Sequence, residues 1–263
     1  MELGAHVDQQ DPIGAAEARG VSVVQTFLGD PQSWKKPVIP YPGGTAALNQ
    51  AASNAGIGMY VHAPYALNVA SPNNRIRIPS RKLLQHTITE AAAAGARGVI
   101  VHGGHVTATD DPEAGYANWR KAVDGLRLDV PIFIENTAGG ARAMTRYIES
   151  IARVWDAIAG SDNIDSVGFC LDTCHAHAGG LDLATVVDDI LAITGRIDLV
   201  HCNDSRDAAD SGADRHANLG QGHVDPELLV HVVREADAPT ILETPGDTEE
   251  HLSDLAWLRE RLS

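Results

Sequence analysis

Val167-Gly168-Phe169-Cys170-Leu171-Asp172 is a run of apolar residues with no polar alternation, closed by a carboxylate. A strand with one wet face alternates apolar and polar residues, so an unbroken run reads as a parallel strand covered on both faces. Outward from it the pattern recurs at Glu2–His6, Ser22–Leu28, Gly58–His62, Gly98–His102, Val130–Glu135, Asp198–Cys202 and Pro239–Glu243. Between the runs lie stretches such as Pro79–Ala94, Glu113–Leu128, Ala143–Ala159 and Leu181–Thr194. Each has apolar residues at three- and four-residue spacing and enough length for a crossover helix. Eight strand–helix units fill residues 1–263 with no linker, low-complexity tract or composition break. The spacing predicts a single α/β domain, a TIM (β/α)8 barrel, with a doubly wound open sheet as the alternative.

Composition narrows the class. The longest apolar stretches are about six residues, where a membrane-spanning helix needs about twenty, so no membrane partner is expected. Met1-Glu2-Leu3-Gly4 has neither a basic nor an apolar leader region, which makes the cytoplasm the expected location. Three cysteines are too few and too odd for a disulfide framework. A net charge of −15 argues against non-specific coating of nucleic acid or anionic membrane. It leaves room for a nucleic-acid enzyme, because bound metals can reverse the field at one face.

Metal-capable side chains end six successive runs or follow them closely: His62, His102, Glu135, Asp172 with His175, His201 with Asp214 and His216 in the next loop, and Glu243. In a barrel all C-terminal strand ends open on one face, where active sites are built. Five imidazoles and four carboxylates form the mixed N/O set that suits zinc or manganese. They exceed what one ion needs, and shared among three ions they leave open positions. Without cations, four converging carboxylates would each cost several kcal/mol to bury. His6 ends the first run and is expected to orient a ligand. His105, His177 and His223 fall in loops near the site, whereas His86, His231 and His251 lie in helical stretches and are expected at the surface. Cys170, Cys174 and Cys202 read as small buried thiols and not as ligands.

The chain resembles the endonuclease IV family of apurinic/apyrimidinic endonucleases. The likeness runs from Gly4-Ala5-His6-Val7 to Leu242-Glu243-Thr244 and is most specific at Gly168–His175. It is also carried by Val101–His105, by Ile134–Gly139, by His201-Cys202-Asn203-Asp204-Ser205 and by Asp214–Gly220. The resemblance implies a TIM barrel with three Zn2+ per chain, Mn2+ being an alternative at one site, that cleaves double-stranded DNA 5′ to abasic sites. It implies His62, His102 and Glu135 on one ion, Glu135, Asp172, His201 and Glu243 on a second with Glu135 bridging, and His175, Asp214 and His216 on a third. Asn203 and Asp204 are expected to support these ligands. The chain departs from the family pattern at Tyr65-Ala66-Leu67-Asn68, at Arg206 in place of a lysine, and at Asp210 in place of a loop glycine.

The expected nucleophile is hydroxide generated on the metals, since no serine or cysteine triad competes. DNA contacts are expected from Arg75, Arg77, Arg81 and Lys82, from Lys35 and Lys36, from Arg206 and Arg215, and from the amides of Asn73 and Asn74. Gln32, Trp34 and Tyr65 are the candidates to hold open the gap at an extruded abasic nucleotide. The enzyme is expected to act as a monomer. The rival reading is a divalent-metal sugar isomerase or epimerase on the same barrel. It has no need for the set His175, Asp214 and His216. A DNA-damage binder without turnover is a further alternative that a nicking assay separates.

Overall fold

The computed structural model describes residues 1–263. Its strands are β1 (Leu3–His6), β2 (Val23–Thr26), β3 (Gly58–His62), β4 (Gly98–His102), β5 (Ile132–Glu135), β6 (Val167–Asp172), β7 (Leu199–His201), β8 (Asp204–Ser205), β9 (His216–Ala217) and β10 (Thr240–Leu242). All but β8 and β9 close into a barrel in the order β1-β10-β7-β6-β5-β4-β3-β2, every neighbour parallel. The helices are α1 (Pro12–Arg19), α2 (Gly44–Ala55), α3 (Asn74–Ala93), α4 (Pro112–Gly125), α5 (Ile148–Ile158), α6 (Thr173–Gly179), α7 (Val186–Thr194), α8 (Pro226–Ala236) and α9 (Thr248–Leu262). The eight expected runs are the eight barrel strands, and the TIM barrel stands over the open sheet. No helix is long and apolar enough to cross a membrane.

Strand periodicity sorts the core into two shells. Outward-facing residues such as Val99, Val101, Ile132, Ile134 and Leu171 pack under the helices with Leu84, Ile88, Trp119 and Ile151. Inward-facing Val23, Tyr60, Ile100, Phe133, Cys170, Leu199 and Ile241 plug the barrel as a separate cluster. Two residues beyond each plug residue, the next inward position of the strand lies at the barrel mouth.

Helix starts differ from the sequence expectation at three helices. α3 begins at Asn74, ahead of Pro79, because the Asn73 side chain accepts from the Arg75 amide and caps the helix upstream of the proline. α5 and α7 begin later than expected, at Ile148 and Val186. α6 and the β8–β9 hairpin were not expected at all. His251 is a correction: it is buried, with Arg19 donating to its Nδ1 and its Nε2 donating to the Thr244 carbonyl. Burial pushes its pKa down.

Candidate metal centre

The inward positions at the mouth form a ring of His6, Gln25, His62, His102, Glu135, Asp172, His201 and Glu243, one from each barrel strand or the residue just after it. Two local devices add the remaining donors. Asp172 ends β6 and also caps α6, its Oδ1 accepting from the His175 amide at 2.6 Å, so α6 starts at once and carries His175 inward. The β8–β9 hairpin pairs Ser205 with His216 and brings His216 and the preceding Asp214 back over the ring.

Glu135 is the fully buried floor. Its Oε2 lies 3.2 Å from His62 Nε2 and 3.2 Å from His102 Nε2, and its Oε1 lies 3.0 Å from His201 Nδ1 and 3.3 Å from His175 Nδ1. Glu243 Oε2 is 3.2 Å from His201 Nδ1, and Asp172 Oδ2 is 3.8 Å from both His201 Nδ1 and His216 Nε2. Asp214 Oδ1 sits 3.1 Å from His175 Nε2 and 3.3 Å from His216 Nε2. The donors thus gather as His62, His102 and Glu135; as Glu135, Asp172, His201 and Glu243; and as Asp172, His175 and His216, with Asp214 against the last two. All nine sequence-selected residues converge on one mouth. Exposure rises from 0% at Glu135, Asp172 and His201 to 54% at Asp214, which is the rim.

The hydrogen bonds around the rings test whether divalent cations fit. His62 Nδ1 donates to the Ala63 carbonyl, His175 Nδ1 to the Asn136 carbonyl and His216 Nδ1 to the Glu243 carbonyl. Each bond leaves Nε2 as the free lone pair. The Nε2 atoms of His175 and His216 are buried and have no hydrogen-bond partner, although both face Asp214. Buried polar atoms are rarely left unpaired, so a cation is the partner this geometry fits.

Protons take the cation's place in the charge balance of the cluster. Burial works against the His201 imidazolium, yet Glu243 and Glu135 lift it to about 9. His216 is opposed by burial and lifted to about 9 by Asp214 and Asp172. Burial likewise opposes His175, which Asp172 and Asp214 hold well above the usual imidazole range. On the acidic side burial pushes Glu135 up, but His201 and His102 hold it well below the usual carboxylate range. Glu243 is held low by His201 and His6, and Asp214 by His175 and His216, against burial in both cases. A divalent ion entering this cluster therefore competes with protons on the imidazoles.

The supporting residues divide. Asn203 touches two of the candidate donors, donating to Asp172 Oδ2 at 2.7 Å and accepting from the Glu243 amide at 2.8 Å. His6 lies 3.5 Å from Glu243 Oε1. Asp204 is a correction: its carboxylate contacts none of the candidate donors and instead accepts from the amides of Gly220, Gly222 and Val224, fixing the chain beyond β9. Sequence reasoning passed over Asn136, whose side chain pairs with both backbone groups of Asp172, and Gln25, which bonds His201, Glu243 and His6. Position in the ring was the available signal for Gln25; residue chemistry hid it. Cys170 Sγ lies within 4.8 Å of the donor atoms of Glu135 and His201, and burial with the nearby Glu135 charge pushes its thiol well up.

An open cavity of about 370 Å³ lies over the donors, lined by His62, Tyr65, His102, His175, Arg206, Asp214, Arg215, His216, Glu243 and Pro245. Tyr65 is 54% exposed at its rim while its ring leans on Phe27, His62 and His102. Gln32 and Trp34 are exposed in the loop after β2. Arg206 is exposed, whereas Arg215 is engaged by Asp207. Asn73 and Asn74 spend their carbonyl oxygens at the start of α3, on Arg75 and Arg77, and Arg77 donates to the carbonyls of Ser71 and Pro72. Two expectations for the basic residues change. Lys36 pairs with Glu90 at 3.0 Å, and Arg81 and Lys82 line a side pocket with Gly125 and Leu126 at the end of α4, away from the mouth.

Residues 13–261 match the family model described as xylose isomerase-like TIM barrel. The chain is 57% identical to "Probable endonuclease 4" of Mycobacterium ulcerans (strain Agy99) over the full length of both chains. It is 56% identical to the protein of that name from Mycobacterium tuberculosis (strain CDC 1551 / Oshkosh), covering 99% of each. Endonuclease IV from Thermus thermophilus superposes with a TM-score of 0.85 at 30% identity, covering 100% of this chain and 99% of that one. A D-tagatose 3-epimerase-like protein superposes with a TM-score of 0.79 at 18% identity, over 100% and 97% of the two chains, a likeness of fold alone.

Proposed function

The chain belongs to the endonuclease IV family, and on that premise we propose that it is a zinc-dependent AP endonuclease of base excision repair that hydrolyses DNA on the 5′ side of abasic sites and leaves a 3′-hydroxyl. The observation that carries this reading is the pair of orphaned Nε2 atoms on His175 and His216 facing Asp214, a donor set over and above the two built on Glu135. His62, His102 and Glu135 would hold one Zn2+, Glu135, Asp172, His201 and Glu243 a second, and His175 and His216, with Asp214 facing both, a third. When bound, such ions supply Lewis acidity at a phosphodiester and water acidified to near neutral pH.

The chain's own residues do the rest. Glu135 fixes the spacing of the first two donor sets, because one rigid, buried carboxylate faces imidazoles from both of its oxygens. No thiol nucleophile is available: all three cysteines are buried, and burial with the neighbouring Asp172 charge pushes the Cys174 thiol to about 12. Arg206 at the cavity wall would take a phosphate oxygen, Tyr65 at its rim would meet a base stack, and Gln32, exposed in the loop after β2, would join it. An abasic nucleotide gives up little stacking on extrusion, so the cavity favours it over an intact one. We assign the activity to a cytoplasmic monomer consisting of a single domain over 1–263.

A duplex carrying one tetrahydrofuran abasic analogue tests the reading. Zinc-loaded protein nicks it 5′ to the analogue, and chelation abolishes the nick. Epimerisation of a ketose with no nicking of this duplex would replace the reading with the rival one.

A further inference from the structure

Gln25 is the one member of the mouth ring that is neither ionisable nor a metal ligand, and it is completely buried. Its amide has one donor and one acceptor end, and the surroundings settle which is which. One amide atom lies 2.5 Å from Glu243 Oε1, which only accepts, so that atom is Nε2; the flipped amide would press two oxygens together. The second Nε2 hydrogen points at His6 Nδ1, 2.9 Å away. Oε1 then faces His201 Nε2 at 2.8 Å, and an amide oxygen accepts only, so His201 Nε2 carries a proton. The other ring nitrogen, Nδ1, is left to face Glu135 Oε1 and Glu243 Oε2.

This arrangement inverts that of its neighbours. His62, His175 and His216 each donate from Nδ1 to a backbone carbonyl and keep Nε2 for the centre. His201 presents Nδ1 instead, and the Gln25 amide stands where the others have a carbonyl. We propose that Gln25 is a positioning residue that holds the His201 proton on Nε2 and so reserves Nδ1 as the metal-ligating atom, with Glu243 setting the amide's orientation. The inference rests on the metal centre proposed above.

The test uses the full-length zinc-loaded protein with 15N-labelled histidine. Long-range 15N–1H spectra report which nitrogen of His201 carries the proton, and zinc affinity is read by competition with a chromophoric chelator. Gln25→Met, similar in length without hydrogen bonds, weakens zinc binding by roughly 10- to 100-fold and frees the His201 Nε2 proton to exchange with solvent. Gln25→Glu keeps an acceptor for His201 but removes the donor to Glu243, so it retains the Nε2 proton signal while zinc affinity falls. Zinc affinity within twofold of wild type in Gln25→Met, with the same protected signal, overturns the assignment, as does loss of that signal in Gln25→Glu. A wild-type chain that takes up no zinc overturns the metal centre itself, a result distinct from either variant's.

Discussion

Replacing Glu135 by glutamine keeps the side-chain volume at the floor of the barrel and removes only the charge. That charge faces four imidazoles at 3.0–3.3 Å, on His62, His102, His175 and His201. Taking one partner from a buried ionic cluster costs about 3–5 kcal/mol. At about 1.4 kcal/mol per tenfold, a loss of that size felt in the transition state slows hydrolysis by roughly 10²- to 10⁴-fold. The neutral amide also leaves both donor sets that share Glu135 without its charged oxygens. Binding of the duplex is expected to remain near wild type, because Arg206, Gln32 and Tyr65 are untouched. Single-turnover cleavage of a duplex with one abasic analogue gives the rate, gel shift gives the affinity, and elemental analysis of the same sample gives the ions retained. Cleavage within tenfold of wild type by Glu135→Gln would refute the bridging role.

His216→Ala is expected to reduce zinc from about three to about two ions per chain, with most cleavage lost; an unchanged count under metal-replete conditions removes the third donor set. Stacking on an aromatic side chain is worth roughly 1–3 kcal/mol, so Tyr65→Ala should lower the preference for abasic over intact duplex by about tenfold to a hundredfold. Because Tyr65 also leans on His62 and His102, zinc content is measured alongside; an unchanged preference in a fully loaded variant sinks the wedge reading, and a joint fall in zinc and thermal stability makes Tyr65 a support for the ligands. Zinc uptake at pH 7 should release protons from His175, His201 and His216, and calorimetry in buffers of different ionisation enthalpy reads them; uptake without proton release contradicts the raised imidazoles. The sign for the metal-free chain is opposite to that for metal binding. Imidazoles raised from 6.5 to about 9 stabilise the fold fully below pH 6.5 and lose that contribution as pH rises through 9, so the melting temperature of chelated protein should fall over this window while zinc affinity climbs.

Much of the site was legible because it is written in strand periodicity. An apolar run ending in His102 or Glu135 places that side chain inward at the C-terminal end of its strand whatever the neighbouring strands are, since alternation is a property of the backbone alone. The glycine expected at 210 also had a local cause: Asp210 sits in the left-handed region at φ 58°, and the Arg146 ion pair at 2.8 Å accompanies its substitution there.

What escaped the sequence depended on closure. Barrel order sets β1 between β2 and β10, so His6, Gln25 and Glu243, which are 237 residues apart at their extremes, meet only once the sheet is sealed. Gln25 bears no chemical mark of a site residue, because an amide acquires its role from the groups at its two ends. Asp204 and Lys36 went the other way: each has the residue type of a site member, and each is claimed by a nearer structural partner in the loops or in α3. The candidate donors followed from residue type and from a place at or just after a strand end, which are local. The choice of ring nitrogen, of amide orientation and of which charges remain free was decided by tertiary structure, because hydrogen bonds and ion pairs go to whichever partner the closed barrel brings within 3 Å.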